Sequence, residues 1–244
     1  MTAATAPASP RLLDPRFRWR GTEVTRLEGF SDAVFAIVLA LLFLRAAPPE
    51  TFDDLQAAMK ALVPFAATFA IVAYIWVEHW LFSRRYGLRD GWTTFLNLVL
   101  LFLLLFYAYP MKYLFTLMSV VMFGPIGSLD TNHMLQGIHG EAEAERLFVF
   151  YGSGYGLIFF VLALMYLRAH RLREVLAFDA MERHLTVAGL TQCLLQTAVA
   201  AVSVAIALTY GIAWGMPGWV YCAIGPLMAV HAMWERRRMP KPGS

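Results

Sequence analysis

Charge is scarce in this sequence. Asp, Glu, Lys and Arg make up 15% of its 244 residues, against 59% that are hydrophobic. A soluble domain carries about 25% charged and about 45–50% apolar residues. So small a polar fraction cannot cover a globule of this size, which excludes a water-soluble enzyme, and the same figures exclude intrinsic disorder. Cysteine is nearly absent too. Cys193 and Cys222 both lie in apolar runs and read as free buried thiols, so a disulfide-built secreted scaffold is excluded. There is no G-x-S-x-G, no phosphate-binding loop and no H-E-x-x-H, hence no enzyme and no cofactor motif. His133 and His139 with Glu141 and Glu143 lack the ligand spacing of a metal site. A net charge of +3 is too small to imply nucleic acid as a partner. No internal repeat is present.

What the sequence has instead is long uncharged runs, the signature of an all-α integral membrane protein. They cover residues 33–44, 61–77, 91–111 and 147–167, and then 185–234 without a formal charge. The last is too long for one span of roughly 20 residues. It divides at the turn signal between Gly211 and Gly218, which gives six transmembrane helices. A basic start before a short apolar run also fits a signal peptide. Here nearly 30 residues precede the run and Pro48 follows Ala46-Ala47, so it reads as an uncleaved helix. Of the 20 basic residues, 16 fall in the N-terminal segment, two alternate loops and the C-terminal end, leaving Arg45, Lys60, Lys112 and Arg146 for the other side. This asymmetry orients both termini to the cytoplasm of a multi-pass plasma-membrane protein. Residues 1–20 read as a flexible tail, 21–235 as the membrane domain, 236–244 as a basic tail, and 122–145 as an acidic external loop. Tyr113 to Phe123 extends the third helix past Pro110 or forms an interfacial segment. Gly152 and Gly156 form a G-x-x-x-G pair suited to a close helix contact. Gly154-Tyr155-Gly156 lies inside a span, without the re-entrant loop that a carbonyl filter requires.

The first apolar run is short, so its helix spans only by including the turn with Arg26, Glu28 and Asp32. Charges at that depth mark an ion or substrate pathway or lie in the headgroup region. Phe30, Ala33/Val34, Ile37, Ala40/Leu41 and Leu44 recur at steps of three and four and share one face.

The stretch from Arg26 through Phe30-Ser31-Asp32 to Leu42 resembles the first-helix signature of the transmembrane protein 175 family of potassium channels. Trp76 and His79 are similar to its second-helix Trp-x-x-His pattern, and Asp90, Asn97 and Pro110 to its third helix. The resemblance implies a potassium-permeable cation channel. Its partners would be its own copies in a homotetramer, membrane lipid and monovalent cations, with K+ as permeant ion and no cofactor. The first helix would line the pore, with no carbonyl selectivity filter and a constriction at Ile37, continued by Leu41 and Leu44, with Ala33 and Ala40 facing the pore nearby. Arg26, Asp32, His79 and Asn97, with Phe30, Ser31 and Trp76 beside them, would form the motif and a polar cluster bracing the bundle. Many bacterial members carry threonine where this sequence has Ala40, which bears on selectivity. A ring of aliphatic side chains offers an ion no ligand, and it gates by dewetting when it narrows. Two rival readings are a secondary transporter or proton-coupled carrier using Arg26, Asp32 and His79, and a non-conducting scaffold. Neither inverted repeats nor broken mid-membrane helices are evident for the former.

Overall fold

The structure, a computed structural model, describes residues 17–43, 51–52, 55–56, 59, 62–123, 141–211 and 216–240. All regular structure among them is helical: α1 (Arg26–Phe43), α2 (Leu62–Tyr86), α3 (Gly91–Phe123), α4 (Glu141–Arg171), α5 (Ala180–Tyr210) and α6 (Ile224–Arg238). A single turn, Met216–Trp219, and a 3-10 turn, Val220–Ala223, lead into α6. Four helices, α2 to α5, are long and apolar enough to cross a membrane. The two others of the six spans read from sequence fall short of that criterion for different reasons. Arg26, Glu28 and Asp32 put three charges into the 18 residues of α1, and α6 has 15 residues.

Local chemistry sets the ends of these helices. Thr25 and Glu28 form a capping box on α1. The Glu28 amide donates to Thr25 Oγ1 (3.1 Å), and the Thr25 amide donates to Glu28 Oε2 (3.4 Å). Asp179 and Glu182 do the same for α5. Gly87 closes α2 with a positive φ of 56° and donates its amide to the Ser83 carbonyl at 3.0 Å. Pro226 has no N–H to offer the Cys222 carbonyl, so the chain winds as 3-10 before α6 begins. α3 runs through Pro110, extending the helix past it.

Four readings change. Cys193 is buried, but Cys222 is exposed on the lead-in to α6. The loop expected over 122–145 is shorter, because α3 continues to Phe123 and α4 starts at Glu141, making Glu143 and Glu145 helical. His133 and His139 lie outside the described residues. Of the tail expected over 1–20, Phe17 is buried in the core and Arg18 to Arg20 are anchored. Arg236 to Arg238 form the last turn of α6.

Packing divides into two groups joined by α3. α1 buries Ser31, Phe35, Val38 and Leu42 against α2 and α3. α4 and α5 form the most intimate pair. The small-residue pattern favours it: a Cβ on Gly152 would sit 2.6 Å from Val204 Cγ2 and force a shift there, and one on Gly156 would sit 3.1 Å from Ala200 Cβ, a tight contact.

Candidate functional site

Burial splits α1 into two faces. Phe35, Val38 and Leu42 are essentially inaccessible, whereas Phe30, Ile37 and Leu41 are 53%, 53% and 50% exposed. Ala33 and Ala40 are exposed on the same side. Leu44 lies outside the described residues. Helical spacing alone produces this division, since residues three and four apart share a face.

The buried face carries two polar residues, Glu28 and Ser31, and a directional chain of hydrogen bonds accommodates Ser31. His79 Nε2 lies 2.6 Å from Asn97 Oδ1, Asn97 Nδ2 donates to Ser31 Oγ at 3.0 Å, and the Ser31 hydroxyl donates to the Leu27 carbonyl at 2.8 Å. With the Asn97 amide oriented this way, its oxygen must accept, so His79 carries a proton on Nε2. All three side chains are buried. They tie α1 to α2 and α3 at one level. A polar pocket of about 40 Å³ opens beside them toward Glu28 and Thr93, a volume that admits water.

Asp32 and Trp76 make a separate pair at the exposed edge, the indole Nε1 donating to Asp32 Oδ1 at 2.9 Å. Phe35 packs on the His79 ring at 5.8 Å. Arg26 does not join these residues: its side chain is exposed and makes no ion pair among the described residues. The acid that α1 does pair internally is Glu28, whose Oε1 lies 3.2 Å from Arg84 Nε of α2, both largely buried. Glu28 is therefore committed to a cap and an ion pair.

Sequence reasoning missed a strap ahead of α1. Arg20 reaches the fully buried Glu182 of α5 through both nitrogens, at 3.0 Å to Oε1 and 2.7 Å to Oε2, and donates to the Leu176 carbonyl at 2.8 Å. Its guanidinium lies 5.0 Å from the Phe178 ring centroid. The Arg20 and Gly21 amides donate to the Arg84 carbonyl at 3.2 and 3.0 Å. The start of α1 is thus fastened to the end of α2 and to the α4–α5 connection.

A second polar group, also unforeseen, joins α2, α4 and α5. Gln192 Nε2 donates to Tyr74 Oη (2.6 Å) and Glu78 Oε1 (3.0 Å), and Tyr166 donates to Glu78 Oε2 at 3.2 Å. Gln196 Nε2 donates to Tyr74 Oη at 2.9 Å, and the Tyr155 hydroxyl bonds Gln196 Oε1. At the α2–α3 turn, Arg168 of α4 contacts Asp90 Oδ2 at 3.0 Å, and Thr93 donates to Asp90 Oδ1 at 2.5 Å. Burial works to raise the Asp90 carboxyl, but the Thr93 hydroxyl and the Arg168 guanidinium outweigh it and hold the group below its ordinary value. Among the described residues no group of three or more His, Cys, Asp or Glu is placed to hold a metal.

Residues 26–107, which contain α1, α2 and most of the first apolar stretch of α3, match the family described as endosomal/lysosomal potassium channel TMEM175. A potassium channel of Marivirga tractuosa is 38% identical over 224 residues, covering 89% of this chain and 90% of its own. The crystal structure of a threonine-to-alanine variant of the potassium channel MtTMEM175, in complex with a nanobody–MBP fusion protein, aligns with a TM-score of 0.79 at 37% identity. That alignment covers 93% of this chain and 99% of the other. A relative this similar over nine-tenths of both chains leaves no room for a different fold, and the protein is membrane-embedded and belongs to the TMEM175 family of potassium channels.

Proposed function

We propose that the protein is a potassium-permeable cation channel of the plasma membrane, assembled as a homotetramer around a pore lined by α1. Six helices per subunit cross the bilayer in one channel domain over residues 21–235, with both termini cytoplasmic. K+ is the permeant ion, and no cofactor is needed. The outward stripe of α1 carries this reading. Ile37 and Leu41 are half exposed beside the exposed Ala33 and Ala40, while the opposite face of the same helix is closed. Such a stripe on one chain must meet either lipid or further copies. α1 also carries Arg26 and Asp32 exposed on its surface, and charges at membrane depth belong toward protein or water rather than lipid. A fourfold axis satisfies both demands, with Ile37 as the narrowest ring and Asp32 near the cytoplasmic mouth.

Selectivity then arises from dehydration at the Ile37 ring rather than from carbonyl ligands. The chain His79–Asn97–Ser31 braces α1 from behind, so the ring keeps its radius. The proton-coupled carrier reading has no observation in its favour, because the exposed Arg26 is not brought to Asp32 or His79. The test is flux in liposomes of a chain with Cys193 and Cys222 replaced and Ile37→Cys introduced. Small water-soluble thiol reagents block potassium flux in that protein if the stripe lines the pore. Undiminished flux after full modification places the pore elsewhere.

A further inference from the structure

A cavity of about 820 Å³ lies within one chain between α6 and a wall formed by α2 to α5. It runs from Met111 and Gly218 at one end to Arg236 and Met239 at the other. The chain from Gly218 to Met239 rises roughly 30 Å at about 1.5 Å per residue, which is the thickness of the hydrocarbon core. The cavity is therefore a vertical slot as deep as the membrane. A chain lying in the slot would have to be satisfied by apolar contact along most of its length. An extended peptide would leave its backbone polar groups unsatisfied at this depth. A hydrocarbon chain carries no such groups.

The wall agrees. Its mid-depth polar side chains, Tyr74, Gln192, Gln196 and Tyr155, bond to one another and to Glu78, so the slot presents apolar surface there. Charge appears at one end only, as Glu235 and Arg236. The Glu235 carboxylate is occupied by histidines, His184 at 3.0 Å and His231 at 3.6 Å. Arg236 makes no ion pair among the described residues and sits in a run with Arg237 and Arg238. α6 packs chiefly against α5 and its own lead-in turn, which leaves its other flank to form the open side of the slot.

We propose that this slot holds one acyl chain of an anionic phospholipid from the leaflet on the Arg236 side, with its phosphate against Arg236. The test is native mass spectrometry of the purified full-length protein, delipidated and then mixed with equal amounts of dioleoylphosphatidylglycerol and dioleoylphosphatidylcholine. The wild-type chain retains one lipid per subunit and prefers the anionic lipid by about fivefold, the factor expected of one cation at an anionic headgroup. Ala232→Trp, which fills the slot, abolishes retention, and Arg236→Gln retains lipid but loses the preference. Ala188→Phe on the facing wall repeats the loss should Ala232→Trp fold poorly, and lipid-free thermal unfolding identifies which variant is folded. Retention by a folded, filled variant equal to wild type overturns the proposal, as does an unchanged preference in Arg236→Gln. Absence of retained lipid in the wild type overturns it as well, and would leave a neighbouring copy as the cover of the slot.

Discussion

Asn97 stands between His79 and Ser31 and satisfies both, accepting from one at 2.6 Å and donating to the other at 3.0 Å. A single amide thereby holds three helices in register at the level where α1 is most tightly enclosed. Removing it leaves His79 Nε2 without its partner and Ser31 with only its bond to the Leu27 carbonyl, whereas removing either end frees one atom of the amide.

Asn97→Ala should therefore destabilise the fold by about 1–3 kcal/mol, and by more than Ser31→Ala. Thermal unfolding in detergent of the two variants measures the order. Equal stability of Asn97→Ala and wild type would show that the chain is replaced by water.

Ile37→Asn makes the proposed ring wettable. Potassium flux into liposomes should rise and discrimination against sodium should fall, because the dewetting barrier is gone. The control is Val38→Asn on the buried face, which should impair folding rather than raise flux.

Ala40→Thr adds a hydroxyl on the exposed face, one position before Leu41. If this face meets the ion, reversal potentials in mixed potassium and sodium shift toward potassium. An unmoved reversal potential removes position 40 from the pathway.

Arg20→Ala leaves Glu182 fully buried without its main cation. Loss of one partner from a buried pair costs about 3–5 kcal/mol, so the variant should lose detergent-stable protein, and Glu182→Gln in the same background should recover part of it. Full stability of Arg20→Ala would mean that the strap adds nothing to the fold.

Asp90 carries a pH dependence of definite sign. Its carboxyl is held below the ordinary value in the folded protein. Its contribution is thus fully present above about pH 4 and is lost as pH falls through the depressed folded value. Asp90→Asn should flatten the acid limb of a stability–pH curve and leave the neutral region less affected. An identical acid limb in the variant would remove the Asp90–Arg168 contact as its source.

The outward stripe of α1 was legible because residues three and four apart share a face, but both faces are apolar, so which one is buried followed only from packing. His79, Asn97 and Ser31 were recognisable only through the resemblance, since nothing local to positions 31, 79 and 97 indicates that they meet. Arg26 and Asp32 are six apart and lie on different faces of one helix, which explains why they do not pair. Glu28 finds Arg84 instead, a contact that depends on how α1 and α2 pack. The patterns Thr25-x-x-Glu28 and Asp179-x-x-Glu182 do signal capping boxes in sequence, and they place α1 and α5 correctly. The shortness of α6 was hidden by a charge-free run in which Pro226 is the only local mark of the change. Arg20 and Glu182 are 162 positions apart, and no periodicity or motif reports a pairing at that separation.

That separation also sets an order of events during synthesis. The segment that starts α1 emerges first, yet the acid that fastens it is not made until the fifth helix begins. Until then Arg20 has no carboxylate to meet, the chain ahead of α1 is held only at Arg84 of α2, and α1, with three charges in its 18 residues, has the weakest independent hold on the bilayer. The strap of the helix proposed to line the pore is therefore fastened only after α5 begins, later than its brace through Asn97 to α2 and α3. A chain truncated before residue 182 should insert its apolar helices and still fail to present a fixed α1 to its neighbours, so assembly waits on the completed subunit.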